Sequence, residues 1–442
     1  MSRGVRLPPG RTGGWRTAPG RGRAHALRGL FARHPGLVLL LSATALLLLV
    51  WLPACLRTGL IDLRVYRAAA PHLATGDLYA FRLRLPGPHL FPLPFTYPPF
   101  AALLFLPLGL LTWPVVSGLW TAASVAALCA LVHCCLRLAD PAAPAVRHRR
   151  RVLLWSAALL WTEPAAVTCA FGQINLLLAA LVGYAVRRRA AATAGLGAGL
   201  AAGIKLVPAV TGLYFLAQRR WAAAGWTAAV FLATVAAGWW AAPHSAAEFW
   251  LHAVGEAGRV GPVGSVLNQS LRGALSRTLG HDVGWSAAWW AVAVPVALAA
   301  SAALVRTARR GDRLGALLAV QFTGLLLCPV SWCHHWVWAA AAVLWLVYTA
   351  RRTRSRTVAL LAWCAVLAGY PIHWLELAQP DITVFGRPWY LAALGWCYPV
   401  CAVLTLVALC ARTGGYEGSR MPLTAWSKTG RYRFHSASGA ER

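Results

Sequence analysis

Acidic residues are scarce in this chain of 442: 12 Asp and Glu stand against 42 Lys and Arg, a formal charge of +30. Lysine is scarcer still, because Lys205 and Lys428 are the only two and arginine supplies every other strongly basic side chain. Polar surface is short as well, with 59% of residues hydrophobic and only 12% charged. A chain that apolar is not a soluble domain of this size, so the bilayer is the expected solvent for most of it. No carboxylate falls near the middle of an apolar run, which argues against a proton-coupled transporter, since that chemistry needs a buried acidic relay. The 11 cysteines sit mostly inside apolar runs, as Cys134, Cys135 and Cys401 do, and imply no disulfide framework.

What the chain has is arginine, and its placement sets the expected topology. Clusters at residues 3–33, 147–151, 187–189, 219–220, 306–313 and 351–356 alternate with apolar runs, the pattern of loops retained on the cytoplasmic side. The expected partners of this charge are anionic lipid headgroups, not nucleic acid. Residues 1–35, rich in Gly, Pro and Arg, read as a disordered basic cytoplasmic tail, 36–411 as the transmembrane domain, and 412–442 as a second cytoplasmic tail. The run 37–52 has no small-residue cleavage site before Pro53 and reads as a retained first span.

The expected fold is therefore all-α: a polytopic transmembrane helical bundle of about 12 spans. Charge parity forbids counting 95–111 as a crossing, because that would place Arg147 to Arg151 outside. With Pro98, Pro99 and Pro107 inside it, that segment is expected to be a partly inserted helix on the outer face. Residues 190–216 lie between two basic clusters and must form a hairpin or broken pair, with Gly195, Gly197, Gly199, Gly203 and Pro208 as the expected breaks. Asp62, Asp77, Glu163, Glu248, Glu256, Asp282, Glu376 and Asp381 then all lie at or beyond the outer face.

Six segments carry chemistry, and each has a plain structural alternative. Asp62, beside Leu60, Ile61 and Leu63, can gain proton affinity and act as a general base. It can equally start a helix or pair with Arg64 or Arg67. Thr96-Tyr97-Pro98-Pro99-Phe100 opens the non-crossing helix, where a purely structural role is adequate. Gln173 and Asn175 can bond a sugar hydroxyl or satisfy a neighbouring helix. Lys205, a lysine in an apolar stretch of an arginine-rich chain, suits a phosphate but could also reach the interface by snorkelling. Asn268, Gln269 and Arg272 suit phosphate or sugar on a sparsely basic face, or simply a solvated loop. Cys333, His334 and His335 invite zinc, but adjacent residues diverge on a helix and no metal site is expected. The two histidines, flanked by Trp332, Trp336 and Trp338, are better suited to donating hydrogen bonds to a phosphate, with simple packing as the alternative.

Taken in order, the motifs Asp62-Leu63-x-Val65-Tyr66, Thr96-Tyr97-Pro98-Pro99-Phe100, Gly172-Gln173-x-Asn175, Gly203-x-Lys205-x-x-Pro208, Leu267-Asn268-Gln269-Ser270-Leu271-Arg272-Gly273 and Ser331-Trp332-x-His334-His335-x-Val337-Trp338 resemble glycosyltransferase family 87. These are polyprenyl-phosphate-mannose-dependent mannosyltransferases of actinobacteria with the GT-C fold. The resemblance implies a multi-pass plasma-membrane enzyme with both termini cytoplasmic and its active site on the outer face. It implies a polyprenyl-phosphate-mannose donor, a glycolipid or lipoglycan acceptor, an α-(1,2) product formed with inversion, and no metal or other cofactor. Asp62 would be the base, and His334 and His335 would serve the donor phosphate. Charge alone adds Lys205 and Arg272 to that role; Tyr66, Tyr97, Gln173, Asn175, Asn268 and Gln269 are the expected substrate-binding residues. A transporter or flippase of a lipid-linked or anionic substrate is the competing class. It would distribute polar residues along its spans, whereas here they gather at one face.

Overall fold

The computed structural model describes residues 33–46, 48–49, 59–84, 92–348 and 353–411. The two expected tails lie almost wholly outside the described residues, as does the end of the expected first span.

Helices dominate. The described chain begins with α1 (Pro35–Leu46), α2 (Ile61–Ala69) and the single turn α3 (His72–Thr75). A two-residue ribbon, β1 (Arg82–Leu83) against β2 (Leu93–Pro94), closes the segment before α4 (Pro99–Phe105). There follow α5 (Trp113–Ala139), α6 (Ala145–Leu159), α7 (Glu163–Phe171), α8 (Asn175–Arg187), α9 (Ala191–Ile204), α10 (Thr211–Ala217) and α11 (Trp221–Ala241). Short helices α12 (Pro243–Ala247) and α13 (Ala257–Val260) lead into α14 (Leu271–Leu279), α15 (Ala287–Arg309) and α16 (Arg313–Leu327). The last helices are α17 (Trp338–Tyr348), α18 (Arg354–Gly369), α19 (Pro371–Ala378), α20 (Trp389–Leu394) and α21 (Cys397–Cys410).

Three helices among the described residues, α5, α11 and α15, are long and apolar enough to cross a membrane alone. The count rises to five if the bent pairs α6–α7, at 74°, and α18–α19, at 48°, each make one span. The other apolar helices are shorter, so helix length by itself yields fewer than the dozen crossings expected. The segment 95–111 also follows from length. Pro99 opens α4 at its first turn, and a 3-10 turn at Leu106–Leu110 continues it. Together they extend about 20 Å, too little to cross a hydrocarbon core of about 30 Å in a straight line.

The glycines of 190–216 act differently from expectation. α9 runs unbroken through Gly195, Gly197, Gly199 and Gly203, and the chain turns only at Lys205, whose backbone is extended. Gly195, Gly199 and Gly203 repeat every fourth residue and so share one face. A Cβ there would fall 2.2 Å from Trp226, 2.7 Å from the Thr227 carbonyl and 2.2 Å from the Thr234 hydroxyl. They are contact glycines, letting α9 press its backbone onto α11 where larger side chains would hold the helices apart. The break belongs to Lys205 and Pro208 because the chain re-forms there as a 3-10 turn, Val207–Val210.

Arg277 ties the loops at the other side. Fully buried, it donates to the carbonyls of Ser265 at 2.6 Å, Asn268 at 2.7 Å and Gly395 at 2.9 Å.

Replacing Gly199 by Val should lower the melting temperature of the detergent-solubilised protein or stop its accumulation in membranes. Gly212→Val, where a Cβ meets nothing within 4 Å, should not. Equal thermal shifts for the two variants would remove the packing role of the α9 stripe.

Candidate active site

Asp62 occupies the first turn of α2, and its helix starts from an unusual residue. Leu60 is buried and left-handed, at φ 56° and ψ 41°, a conformation costing a β-carbon residue about 1 to 2 kcal/mol. Its N–H donates to the Ala170 carbonyl at 2.9 Å, which pins the strained residue to the end of α7. Gly172 makes that approach possible, because its φ is +68° and a Cβ there would lie 2.6 Å from Leu63. The carboxyl of Asp62 is not used as a helix cap. Arg64 donates to the Gly59 carbonyl and lies over the Trp113 ring, while Arg67 donates to the carbonyls of Leu108 and Leu111.

Gln173 faces Asp62 from the turn before α8. Its Oε1 accepts from Tyr66 Oη at 3.0 Å and from Tyr97 Oη at 2.9 Å, and the two hydroxyls are 2.7 Å apart. With Oε1 committed, the amide nitrogen is the end left to donate to the carboxylate. Burial pushes Asp62 up to about 6, against smaller opposing effects of the Gln173 hydrogen bond and the Lys205 charge. Asp62 is only half-buried. A carboxyl with that proton affinity and an open face is competent as a base near neutral pH.

Lys205 lies at the turn that ends α9. Its ammonium donates to Asn175 Oδ1 at 2.8 Å, His335 Nε2 at 3.0 Å and Tyr97 Oη at 3.3 Å, which accounts for all three of its hydrogens. Burial draws it down to about 7, and the charge of Asp62 partly offsets this. Accepting from the ammonium leaves the His335 ring neutral with its proton on Nδ1. Neither that nitrogen nor either ring nitrogen of buried His334 has a partner among the described residues. His334 is instead anchored by its backbone: its carbonyl accepts from Asn175 Nδ2 at 2.9 Å and Thr168 Oγ1 at 3.1 Å. A cavity of about 30 Å³ adjoins Lys205, Asn175 and His335. The arrangement thus combines one carboxyl of raised proton affinity, one half-buried cation and two imidazoles with unpartnered ring nitrogens, each neutral ring having one N–H to offer an anion.

The family model for glycosyltransferase family 87 matches residues 95–331. The chain belongs to glycosyltransferase family 87. A polyprenol-phosphate-mannose-dependent α-(1-2)-phosphatidylinositol pentamannoside mannosyltransferase of Mycolicibacterium smegmatis is 43% identical over 355 residues, 78% of this chain and 84% of the relative. Its counterpart of the same description in Mycobacterium tuberculosis CDC 1551 is 41% identical over 349 residues, 78% and 80% of the two chains. A phosphatidylinositol mannoside mannosyltransferase of Mycobacterium tuberculosis H37Rv is 34% identical over 363 residues, 79% and 84%. No solved structure matches. The chain is a glycosyltransferase by family.

In this family 87 chain the fold brings Asp62, Tyr66, Tyr97, Gln173, Asn175, Lys205 and His335 into one hydrogen-bonded group with His334 beside it. It does not bring the others there. Arg272 makes a two-pronged pair with Asp282, at 2.9 and 2.7 Å, and among the described residues no hydrogen bond links it to Lys205 or His335. Asn268 has no exposed surface, and its amide is consumed by the backbone. Nδ2 donates to Val263 and Pro329 carbonyls, and Oδ1 accepts from the N–H groups of Ser270 and Ser331. Gln269, equally buried, donates from Nε2 to the Val266 carbonyl, while its backbone N–H bonds the Ser331 carbonyl at 2.7 Å. These two amides staple the 265–270 loop to the segment that presents His334 and His335. Tyr66 and Tyr97 likewise hold Gln173 rather than standing open.

Sequence reasoning missed Thr168 and Gln321. Thr168 is one of two donors to the His334 carbonyl, and no pattern marks it. Gln321, which lines the small cavity and donates to Thr211 Oγ1 at 3.0 Å, is an isolated amide in an apolar helix, and that was a usable signal.

Asn268→Ala leaves the N–H groups of Ser270 and Ser331 and the Val263 carbonyl short of a partner, at about 1 to 3 kcal/mol for each one left unsatisfied, while the Pro329 carbonyl keeps the Ser270 hydroxyl. We expect a clear fall in melting temperature, whereas Arg272→Gln, at a partly solvated ion pair, should shift it little. A variant of Asn268 that melts like the parent while losing only substrate affinity would return that residue to the binding set.

Proposed function

We propose that the chain transfers mannose from polyprenyl-phosphate-mannose to a phosphatidylinositol mannoside on the outer face of the plasma membrane, forming an α-(1,2) link with inversion and with Asp62 as base. The observation that carries the mechanism is the position of Asp62. A half-buried carboxyl held by Gln173, with proton affinity raised to about 6, shares a hydrogen-bonded group with a half-buried lysine and His335, and His334 lies beside it. The acceptor is inferred from that of relatives 41–43% identical to this chain.

In this scheme Asp62 accepts the proton of the acceptor hydroxyl as its oxygen attacks the anomeric carbon of the donor. The bond between that carbon and the phosphate oxygen breaks with its electrons on the phosphate. Lys205, the Nδ1–H of His335 and the one ring N–H of His334 then offset the charge of the leaving polyprenyl phosphate. To reach the phosphate, Lys205 exchanges one of its three present acceptors for a phosphate oxygen, so the site costs little reorganisation beyond that swap. Tyr66, Tyr97 and Gln173 set the direction of the Asp62 carboxylate; Asn175 holds both Lys205 and the His334 backbone.

The sidedness of the chain supports the outer-face placement. The Asp62 group gathers residues from expected outer segments, while the arginine clusters meet one another elsewhere. Arg220 donates to the Val186 and Arg188 carbonyls, and Arg151 pairs with Asp140 at 2.7 Å. With basic ends on the cytoplasmic side, the shorter apolar helices join α5, α11, α15 and the bent pairs in about a dozen crossings, and both termini are cytoplasmic.

Asp62→Asn should reduce transfer from labelled donor in membranes by at least about a hundredfold. It should not lower the melting temperature, because the amide removes a carboxylate that burial disfavours. Full activity of the variant would overturn the assignment. The pH profile adds an independent check. Activity needs Asp62 deprotonated and Lys205 protonated, so kcat/KM should rise through about pH 6 and fall above about pH 7. Bound phosphate favours the ammonium, so the falling limb of kcat should lie at higher pH than that of kcat/KM. Lys205→Ala should weaken donor use and erase the falling limb; a variant that keeps that limb assigns it to another group. For stability the sign is the opposite of a surface carboxylate: the Asp62 contribution is fully present below its ordinary value of 3.8 and is lost as pH rises through about 6.

A further inference from the structure

A larger cavity, about 690 Å³, opens between the α3 turn and the junction of α11 with α12. Its volume is that of an ordinary small-molecule site. Asp77 and Thr75 line one wall, and His244, Ser245 and Glu248 the other, with Tyr79 between them. None of these residues belongs to the Asp62 group, and none was singled out by sequence as a binding residue.

Three features say what the cavity can hold. The two carboxylates, both exposed, disfavour an anion. Hydrogen bonds from Thr75 and then His72 hold Asp77 below its ordinary carboxyl range, so it is charged. No set of three metal-ligating side chains forms among the described residues, so these carboxylates are not grouped as a cation site there. Ser245, 1% exposed, has a hydroxyl with no partner in this wall. Carboxylates accept from the neighbouring hydroxyls of a polyol, and a buried serine hydroxyl can both donate and accept. A neutral, hydroxyl-rich ligand satisfies all of these groups.

Two tyrosines link the cavity to the Asp62 group. Asp62 and Thr75 lie on consecutive helices, α2 and α3. The Tyr79 ring lines the cavity, while its hydroxyl donates to the Tyr97 carbonyl at 2.8 Å. The hydroxyl of that same Tyr97 bonds Gln173 and Lys205.

We propose that this cavity binds the mannose residues of the acceptor headgroup, with Asp77, Glu248 and Ser245 bonding sugar hydroxyls, and so positions the terminal sugar toward Asp62. The assignment rests on the mannosyl-transfer reading for its ligand, and on the cavity alone for its location. His244 closes the wall, because its ring bonds the Gly76 carbonyl at 3.0 Å and joins α12 to the α3 turn.

Ala74 lines the cavity and is exposed, so Ala74→Trp fills the space without removing a hydrogen bond; Glu248→Gln removes one acceptor charge from an exposed position. For each variant in nanodiscs, KM for a phosphatidylinositol mannoside should rise about tenfold, a loss of about 1.4 kcal/mol. KM for polyprenyl-phosphate-mannose and the rate of donor hydrolysis should stay unchanged. Binding of α-linked mannotriose without donor, read by saturation-transfer NMR, should occur with the parent and vanish with Ala74→Trp. Parent transfer with unchanged acceptor KM in both variants, no mannotriose binding by the parent, or equal binding by Ala74→Trp would overturn the cavity while leaving mannosyl transfer intact. Mannotriose binding that Ala74→Trp abolishes, in a protein that transfers no mannose, would support the cavity and overturn the transfer reading.

Discussion

One ammonium, Lys205 Nζ, holds together segments that are far apart in the chain. It touches Tyr97 ahead of α4, Asn175 at the start of α8 and His335 in the turn before α17. A buried cation is costly unless its hydrogens are satisfied, and here each has an acceptor. The arrangement constrains the surroundings. The end of α9 must stop at this point, the amide of Asn175 must present its oxygen, and the His335 ring must be neutral. Asn175 passes the constraint on through its amide nitrogen to the His334 carbonyl.

The second constraint is how closely backbones approach. α9 reaches Lys205 along a glycine stripe pressed on α11, and Gly172 lets the α7–α8 turn lie against Leu63 next to the base. Leu60, held left-handed by a single backbone bond, sets the direction of α2. Strain beside a reactive group persists only where the surroundings over-determine it. Here the Ala170 carbonyl and the packing at Gly172 do so. Positioning of Asp62 is therefore a property of three segments together.

Much of the hydrogen-bonded group around Lys205 was legible. Asp62, Lys205 and the His334-His335 pair stood out because each is a rare residue type for its surroundings: an acid in an acid-poor chain, a lysine among arginines, and a polar pair framed by tryptophans. Gln173, Asn175, Tyr66 and Tyr97 also belong to the group, although they hold Asp62 and Lys205 and were expected to meet substrate. Asn268, Gln269 and Arg272 bond neighbouring loops outside that group, and an amide or guanidinium so engaged looks in sequence the same as one that bonds a sugar or phosphate. Conversely, Asp77, Glu248 and Ser245 carried no motif, and only a shared cavity draws attention to them.

By itself the sequence determined the class of fold, since the apolar runs depend on transfer free energies that act residue by residue. It also determined the family, through short motifs kept in order. Tertiary structure decided which polar groups remain available. That depends on pairing: whether Arg272 meets Asp282, whether the Asn268 amide is consumed by four backbone groups, whether Gln173 turns its nitrogen to Asp62 because two tyrosines hold its oxygen. Pairing is a matter of hydrogen-bond geometry between segments distant in the chain, and it has no signature in either of them alone.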